Sequence, residues 1–402
     1  MNITRLLSVS AKTIAAALLL AAAARSLEAR EYIRGIYLSP SSACREWLIK
    51  KIEESADRGD LNSVVIDMKD DFGALRYPSK NDIALSIGAV RPIINVDTLL
   101  KRLHEHNIRV IARLVCFKDD IASNYSAFGV ARQGGGLWQD EGGAHWMNPY
   151  DESVWDYLAS IAKELEDLGF DEIQLDYVRF PTDGDISSCV FYGSKGRIKE
   201  QAIEGFLKRM RSQVSAPLSV DVFGYAAWRT LKREGQELSR IGPNVDYICP
   251  MLYPSHFADS DFRGLPVREF WVYYESVSSA YKLLGSSSAR VVTYVQGFSW
   301  KAPGYGPDYI HNQILGSLGA GADGFFIWNA SGDYLPAFEA LSWGGSSLRE
   351  IACPSSQENR TKSIQHPPIY ELTESIRIHI PGRNWFLPKF LDGIRNGSRR
   401  EG

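Results

Sequence analysis

The stretch Gly169-Phe170-Asp171-Glu172-Ile173-Gln174-Leu175-Asp176-Tyr177-Val178-Arg179-Phe180-Pro181 leaves a helix, runs as a strand and stops at a proline. Ahead of it, Asp151–Leu168 sets Val154, Tyr157, Leu158, Ile161, Leu165 and Leu168 on one stripe of 3.6-residue period. Gly169 then supplies the residue that ends such a helix. In the strand, successive side chains point to opposite faces. Ile173 and Leu175 therefore face a layer of helices, and Gln174 and Asp176 face the other way. A helix feeding directly into a short buried strand is half of a βαβ unit.

Working outward, the same alternation recurs from Glu31 to about Glu350. Strands are expected at Ile33–Leu38, Ser63–Met68, Arg109–Phe117, Glu172–Tyr177, Leu218–Val222, Tyr247–Leu252, Val291–Gln296 and Gly324–Trp328. Helices are expected between them, among them Asp97–His106, Arg268–Leu284 and Pro307–Leu318, the last with proline at its favoured first position. Eight parallel strands close a barrel, so the fold class is α/β, a (β/α)8 TIM barrel over residues 31–350. The βα connections Lys118–Tyr150, Pro181–Gly196 and Tyr253–Val267 are long enough to imply a task. All three follow C-terminal strand ends, where barrel enzymes build their sites.

The termini read differently. Arg5 and Lys12 precede a small, apolar run from Thr13 to Ala24. That run is too short for a membrane-spanning helix of roughly 20 residues, and it fits a cleaved signal peptide over residues 1–24. Ala29 is an alternative end of processing; an uncleaved anchor or a buried first helix is the competing interpretation. Residues 355–402 are rich in Pro, Ser, Asn and Arg and are expected to form a partly disordered extension. A periplasmic or secreted location follows, with no stable membrane anchor after cleavage.

The formal charge is −3, and removal of Arg5 and Lys12 with the leader would make it −5. No basic surface is implied, which argues against nucleic acid as a partner. The five cysteines, Cys44, Cys116, Cys189, Cys249 and Cys353, form no zinc-like spacing. Cys116 and Cys249 lie in apolar strands and read as buried thiols. Oligomeric state is not legible.

Polar groups collect at one rim. Asp176 ends the fourth strand and Asp221 the fifth, in Ser219-Val220-Asp221-Val222. Strand two offers Asp67 and Lys69 in phase with Val65, and strand three places Arg113 in phase with Ile111 and Val115. Strand seven ends in Gln296, and strand eight in Trp328-Asn329. Two carboxylates on adjacent strands, about 4.8 Å apart, suit glycoside hydrolysis, where retaining enzymes hold them roughly 5–5.5 Å apart. Asp176 is then the nucleophile and Asp221 the acid/base, with Asp67 the spare acid. Lys69, Arg113 and Arg179 are candidates to hold one carboxylate ionised. Trp146, Tyr150, Tyr253, His256, Gln174, Gln296, Trp328 and Asn329 are candidate sugar contacts, because flat rings pack on sugar C–H faces and amides bond hydroxyls. No cofactor and no metal is required by this chemistry.

Each of these residues also has a structural interpretation. Asp176 could simply pair with Arg113 or Arg179, and any one tryptophan could be core. Asp70-Asp71 and Asp119-Asp120 look like turn and cap residues, with a nearby calcium ion as the other option. His145 looks like ordinary loop structure.

Several segments carry a family resemblance. Val65-Ile66-Asp67-Met68-Lys69-Asp70-Asp71-Phe72-Gly73, Ile111–Asp119, Trp146-Met147-Asn148-Pro149-Tyr150, Gly169–Pro181 and Pro250-Met251-Leu252-Tyr253-Pro254-Ser255-His256 resemble the putative glycosyl hydrolase domain family of bacterial proteins. Gln296-Gly297-Phe298 and Ile327-Trp328-Asn329-Ala330 continue the likeness, which covers roughly residues 33 to 335. The resemblance implies a barrel distantly similar to the α-amylase-like and related retaining glycosidases, whose strand-four nucleophile falls on Asp176. This sequence departs from the amylase-like pattern twice. Gln174 stands where Arg would precede the nucleophile by two residues, and Asp221 stands where the strand-five acid/base is Glu.

The expected function is therefore hydrolysis of a polysaccharide or oligosaccharide. Two rivals remain: a non-catalytic carbohydrate-binding barrel, and a metal-dependent carbohydrate-modifying enzyme with Asp67, Asp176 and Asp221 as oxygen ligands.

Overall fold

Eight parallel strands close on themselves in sequence order: β1 (Ile33–Leu38), β2 (Ser63–Lys69), β3 (Arg109–Val115), β4 (Glu172–Asp176), β5 (Leu218–Phe223), β6 (Tyr247–Met251), β7 (Arg290–Gln296) and β8 (Gly324–Trp328). The last pairs with the first, Ile36 lying opposite Ile327. The computed structural model describes residues 32–126 and 128–343, and the strands Arg377–Ile380 and Arg383–Phe386. Those two strands form an antiparallel hairpin with Ile378 opposite Trp385. The expected leader, Cys353 and the rest of the 355–402 extension lie outside the described residues.

The strands are β-branched runs such as Val64-Val65-Ile66 and Val291-Val292, buried on both faces as parallel strands are. Inward residues Tyr37, Val65, Ile111, Cys249, Tyr253, Val292, Tyr294 and Phe326 pack together and fill the cylinder. Each buried Val, Ile or Phe contributes about 1.5–3 kcal/mol of transfer free energy.

Helices α1 (Glu46–Asp57), α2 (Val96–Glu105), α3 (Glu152–Asp167), α4 (Lys199–Gln213), α5 (Arg268–Leu284), α6 (Pro307–Gly319) and α7 (Leu335–Ser342) form the outer layer. Their starts follow from local chemistry. Asn95 Oδ1 accepts the Thr98 amide at 3.2 Å and Asp151 Oδ1 the Ser153 amide at 2.9 Å, each satisfying an otherwise unpaired N–H. Gly169 leaves α3 with φ +97°, a conformation costly for any side chain. Between β5 and β6 a single helical turn, Leu238–Ile241, replaces a full helix. Among the described residues no helix is long and apolar enough to cross a membrane.

Two of the long connections are tied to each other above the barrel. Ala131–Arg132 pairs antiparallel with Cys189–Val190, and the Trp138 indole donates to the Asp185 carbonyl at 2.8 Å. Cys116 and Cys249 are buried free thiols, and Cys44 and Cys189 are also free.

Candidate active site

The polar rim follows from strand alternation. Asp67 lies opposite Arg113 in the β2–β3 register, and Asp176 opposite Val115 in β3–β4. With Asp221 from β5, these side chains converge at the C-terminal mouth. Arg113 is the hub and is 2% exposed. Its Nε and Nη2 donate to Asp176 Oδ2 at 3.1 and 2.5 Å, and its Nη1 donates to Asp67 Oδ1. Asp221 Oδ2 lies 3.9 Å from the same Nε, and Asp71 Oδ1 lies 3.7 Å from Nη2. Because Asp176 Oδ2 and Asp221 Oδ2 share Nε as a neighbour, they are within about 7 Å of one another.

The three acids differ in their surroundings. Asp67 is spent on both oxygens, since Tyr37 donates its hydroxyl to Oδ2 at 2.6 Å while Arg113 holds Oδ1. Burial pushes its carboxyl up to about 6 against the pull of Arg113 and the Tyr37 hydrogen bond. Asp176 accepts from Arg113 and, through Oδ1, from the Tyr177 amide at 2.5 Å. Asp221 is 1% exposed, and neither of its oxygens accepts a hydrogen bond from a described residue. Burial first, then the charge of Asp176, pushes its carboxyl well above the carboxylate range. Asp221, without a donor, and Asp176, fixed by N–H donors, are thus two carboxyl groups in unlike surroundings at one rim.

A cavity of about 490 Å³ opens over this cluster, walled by Asp176, Asp221, Arg179, Tyr253, His256 and Trp328, among others. A second cavity of about 910 Å³ adjoins it across Asp71 and Trp328, and Asp67 faces that side. The Trp328 ring stacks on Tyr37 at 3.7 Å between centroids and lies 5.1 Å from the Arg113 guanidinium carbon. His256 bonds Ser255 Oγ at 2.9 Å through Nδ1, and burial holds its ring below the usual histidine range.

Six of the candidates line neither cavity. Lys69 leaves the inward phase at a bulge, where the register passes from Asp67–Arg113 to Lys69–Leu114. Its ammonium is fully buried against Asp119 at 2.7 Å and the Val115 carbonyl at 2.7 Å. Gln174 points inward but lies deeper, tying Tyr294, whose hydroxyl it accepts, to the Cys249 sulfur at 3.6 Å. Gln296 braces loops: its Oε1 accepts from Ser255, and its Nε2 donates to the Phe298 and Trp300 carbonyls at 3.0 and 2.9 Å. Asn329 does the same toward Gly297 at 2.6 Å and Asp333 at 2.8 Å. Trp146 is 1% exposed and bonds Asp140 at 3.0 Å, so it is core to its own loop. Tyr150 packs edge-on against Phe180 at 4.9 Å and Phe191 at 6.2 Å.

Arg179 lines the cavity but pairs with no carboxylate among the described residues, unlike Arg113. Asp70 and Asp119 are turn and cap residues, each accepting two backbone amides through Oδ1. The guanidinium of Arg113 occupies the space between Asp67 and Asp176 that a ligated cation would need. Among the described residues no three His, Cys, Asp or Glu side chains are grouped as metal ligands. Sequence reasoning passed over Tyr37 and Glu234, and it took Asp71, which lines the cavity, for a turn or cap residue. Tyr37 could have been found from its inward phase on β1; Asp71 and Glu234 lie in loops whose course no periodicity reveals.

Over residues 35–334 the chain matches a family model described as "Putative glycosyl hydrolase domain". No curated protein matches it. Among solved structures, a hypothetical protein from Ruminiclostridium thermocellum ATCC 27405 is 39% identical, covering 46% of this chain and 97% of that one, with TM-score 0.44. The glycoside hydrolase domain of PgaB (BpsB) from Bordetella bronchiseptica is 12% identical, covering 81% of this chain and 100% of that one, with TM-score 0.58. A β-galactosidase from Bacillus circulans sp. alkalophilus is 11% identical, covering 81% and 57%, with TM-score 0.55. The likeness to these last two is one of fold.

Proposed function

The chain belongs to the putative glycosyl hydrolase domain family, and from that premise we propose that it hydrolyses an O-glycosidic bond with Asp176 as nucleophile and Asp221 as acid/base. One observation carries the assignment: Asp221 is buried, has no hydrogen-bond donor, and sits within about 7 Å of Asp176 on the wall of the same cavity. Burial and the neighbouring Asp176 both favour the protonated form of Asp221, the form a leaving-group donor requires.

In the first step an Asp176 oxygen attacks the anomeric carbon as the bond to the leaving oxygen breaks, and the Asp221 proton passes to that oxygen. In the second, Asp221 takes a proton from water, whose oxygen attacks the anomeric carbon and releases Asp176. Asp67 is the poorer choice for the acid, because Tyr37 and Arg113 occupy both its oxygens. Its part is to anchor Arg113, which in turn orients Asp176.

The reading is tested by incubating wild-type protein with a panel of glycans and following reducing ends and the anomer released. Hydrolysis with retention, lost in Asp176→Asn, is expected. Inversion at the anomeric carbon would remove Asp176 from the nucleophile role. Glycan retention without hydrolysis by wild type would favour the binding-barrel alternative. We also propose, from the basic start and short apolar run of residues 1–24, that these are a cleaved leader and that the protein acts in the periplasm or outside the cell, which sequencing of the mature N-terminus would test.

A further inference from the structure

Arg179 follows β4 by three residues, just beyond Tyr177, whose φ of +52° turns the chain sharply at the barrel mouth. A left-handed conformation at a bulky aromatic residue costs on the order of 1–3 kcal/mol and is kept where the surroundings demand it. The turn delivers Arg179 into a box of rings. Its guanidinium carbon lies 4.6 Å from the centre of Phe223, 4.7 Å from Trp146 and 5.1 Å from Tyr177. The residue is 8% exposed.

That cation is under-used. Among the described residues its Nη1 donates to the Phe180 carbonyl at 3.2 Å and to Thr182 Oγ1 at 3.5 Å, while Nε and Nη2 donate to nothing. Asp176, Asp183 and Glu234 are the acids near enough to be felt, yet none is within ion-pair distance. An unpaired buried guanidinium is expensive, and ring faces offset only part of the cost. Arg229 stands exposed on the wall of the same cavity, also without an ion pair among the described residues, and adds a second positive charge.

We propose that Arg179 is the floor of a subsite for a carboxylate-bearing sugar, so that the substrate is an acidic glycan of the uronic-acid kind. The inference rests on the glycosidase reading above and adds the substrate class. A planar guanidinium with two free, adjacent donors matches a carboxylate by a two-point contact that no hydroxyl pair equals. The ring box presents that fork rigidly and keeps water from its faces. Asp176 and Asp221 line the same cavity, so the anionic sugar would lie beside the bond being cleaved.

The test uses the full chain with polygalacturonate, alginate and hyaluronan, each beside its carboxyl-reduced neutral counterpart and a sulfated control. Asp176→Asn protein is used for affinity electrophoresis, and wild type for release of reducing ends. At least one acidic polymer should bind about 10- to 100-fold better than its reduced form, the range for a charged hydrogen-bonded contact. Arg179→Gln, made in the Asp176→Asn background, should bring that ratio close to one, and Arg179→Lys should restore part of it. The wild-type comparison stands even where a variant fails to fold.

Equal handling of acidic and reduced polymers, or preference for the sulfated one, overturns the carboxylate assignment and leaves the hydrolase reading intact. Acid-dependent binding that Arg179→Gln leaves unaltered overturns the role of Arg179. Charge-dependent binding with no reducing ends released by wild type keeps the subsite and overturns the hydrolase. No glycan bound or cleaved overturns both.

Discussion

Arg113 donates two hydrogen bonds to a single oxygen of Asp176, from Nε at 3.1 Å and from Nη2 at 2.5 Å, and leaves the other oxygen to the Tyr177 amide. The carboxylate is thereby fixed in plane and orientation before any substrate arrives, and such fixing is what lets a nucleophile attack without first reorganising.

Replacing the nucleophile and replacing the acid should have different signatures. Asp176→Asn is expected to lower kcat at least about 10³-fold on every substrate, because no glycosyl intermediate can form. Asp221→Asn should cost about 10²–10⁴-fold on natural glycosides, yet much less on aryl glycosides whose leaving group needs no proton. Kinetics on a series of leaving groups checks this. A uniform loss across the series would deny Asp221 the acid role.

Removing the hub should damage the fold as well as the reaction. Arg113→Met leaves Asp67 and Asp176 buried without their cation, and loss of one partner from a buried ion pair costs about 3–5 kcal/mol. Urea unfolding should show a shift of that order. Adding Asp67→Asn to Arg113→Met should recover part of it, since one of the stranded charges is then gone. No recovery would mean that the packing of Arg113 against Tyr37 and Trp328 matters more than its charge.

The barrel was legible because its strands announce themselves twice, by β-branched runs and by inward acids that alternation puts in one phase. Asp67, Arg113, Asp176 and Asp221 needed only a period of two. The same rule misplaced Lys69, because a single bulged residue at Met68 inverts everything after it and leaves no mark in composition. Gln296 and Asn329 lie at the rim as expected. Their amides are taken by the loop backbone above them, and such partners are set by loop course, which residue pattern does not encode. Trp138 and Trp146 were hidden for a related reason: a long loop needs its own core, and these rings supply it. The resemblance to the family reached as far as the match over residues 35–334 and carried no information about which rim residues are free to touch a ligand.

Stability should depend on pH in the direction opposite to that of an ordinary salt-bridged aspartate. The folded Asp67 carboxyl is raised from 3.8 to about 6, and Asp221 is raised in the same direction. Between pH 4 and 6 the unfolded chain has already released the Asp67 proton while the folded one retains it. The stabilising effect is therefore complete below about pH 4 and lost as pH rises through about 6, a change on the order of a few kcal/mol. Tm measured from pH 4 to 7 should show wild type falling more steeply than Asp67→Asn. Parallel curves would remove Asp67 as the source.

The buried pair outside the site should match the hub in its effect on stability and differ in sparing the reaction. Lys69 and Asp119 are both fully buried, 2.7 Å apart, and line neither cavity, although their neighbours Asp70, Lys118 and Asp120 wall the second. Lys69→Met strands the Asp119 charge and also removes the bond to the Val115 carbonyl, so unfolding free energy should fall by about 3–5 kcal/mol. Asp119 still accepts the Ile121 and Ala122 amides, which keeps the loop after β3 in place. KM and kcat of the folded variant at low temperature should stay within about threefold of wild type, because no group that faces the cavity has moved. A large kcat loss in a folded Lys69→Met protein would mean that the loop from Lys118 to Tyr150 shapes the reacting site more directly than the position of this pair allows.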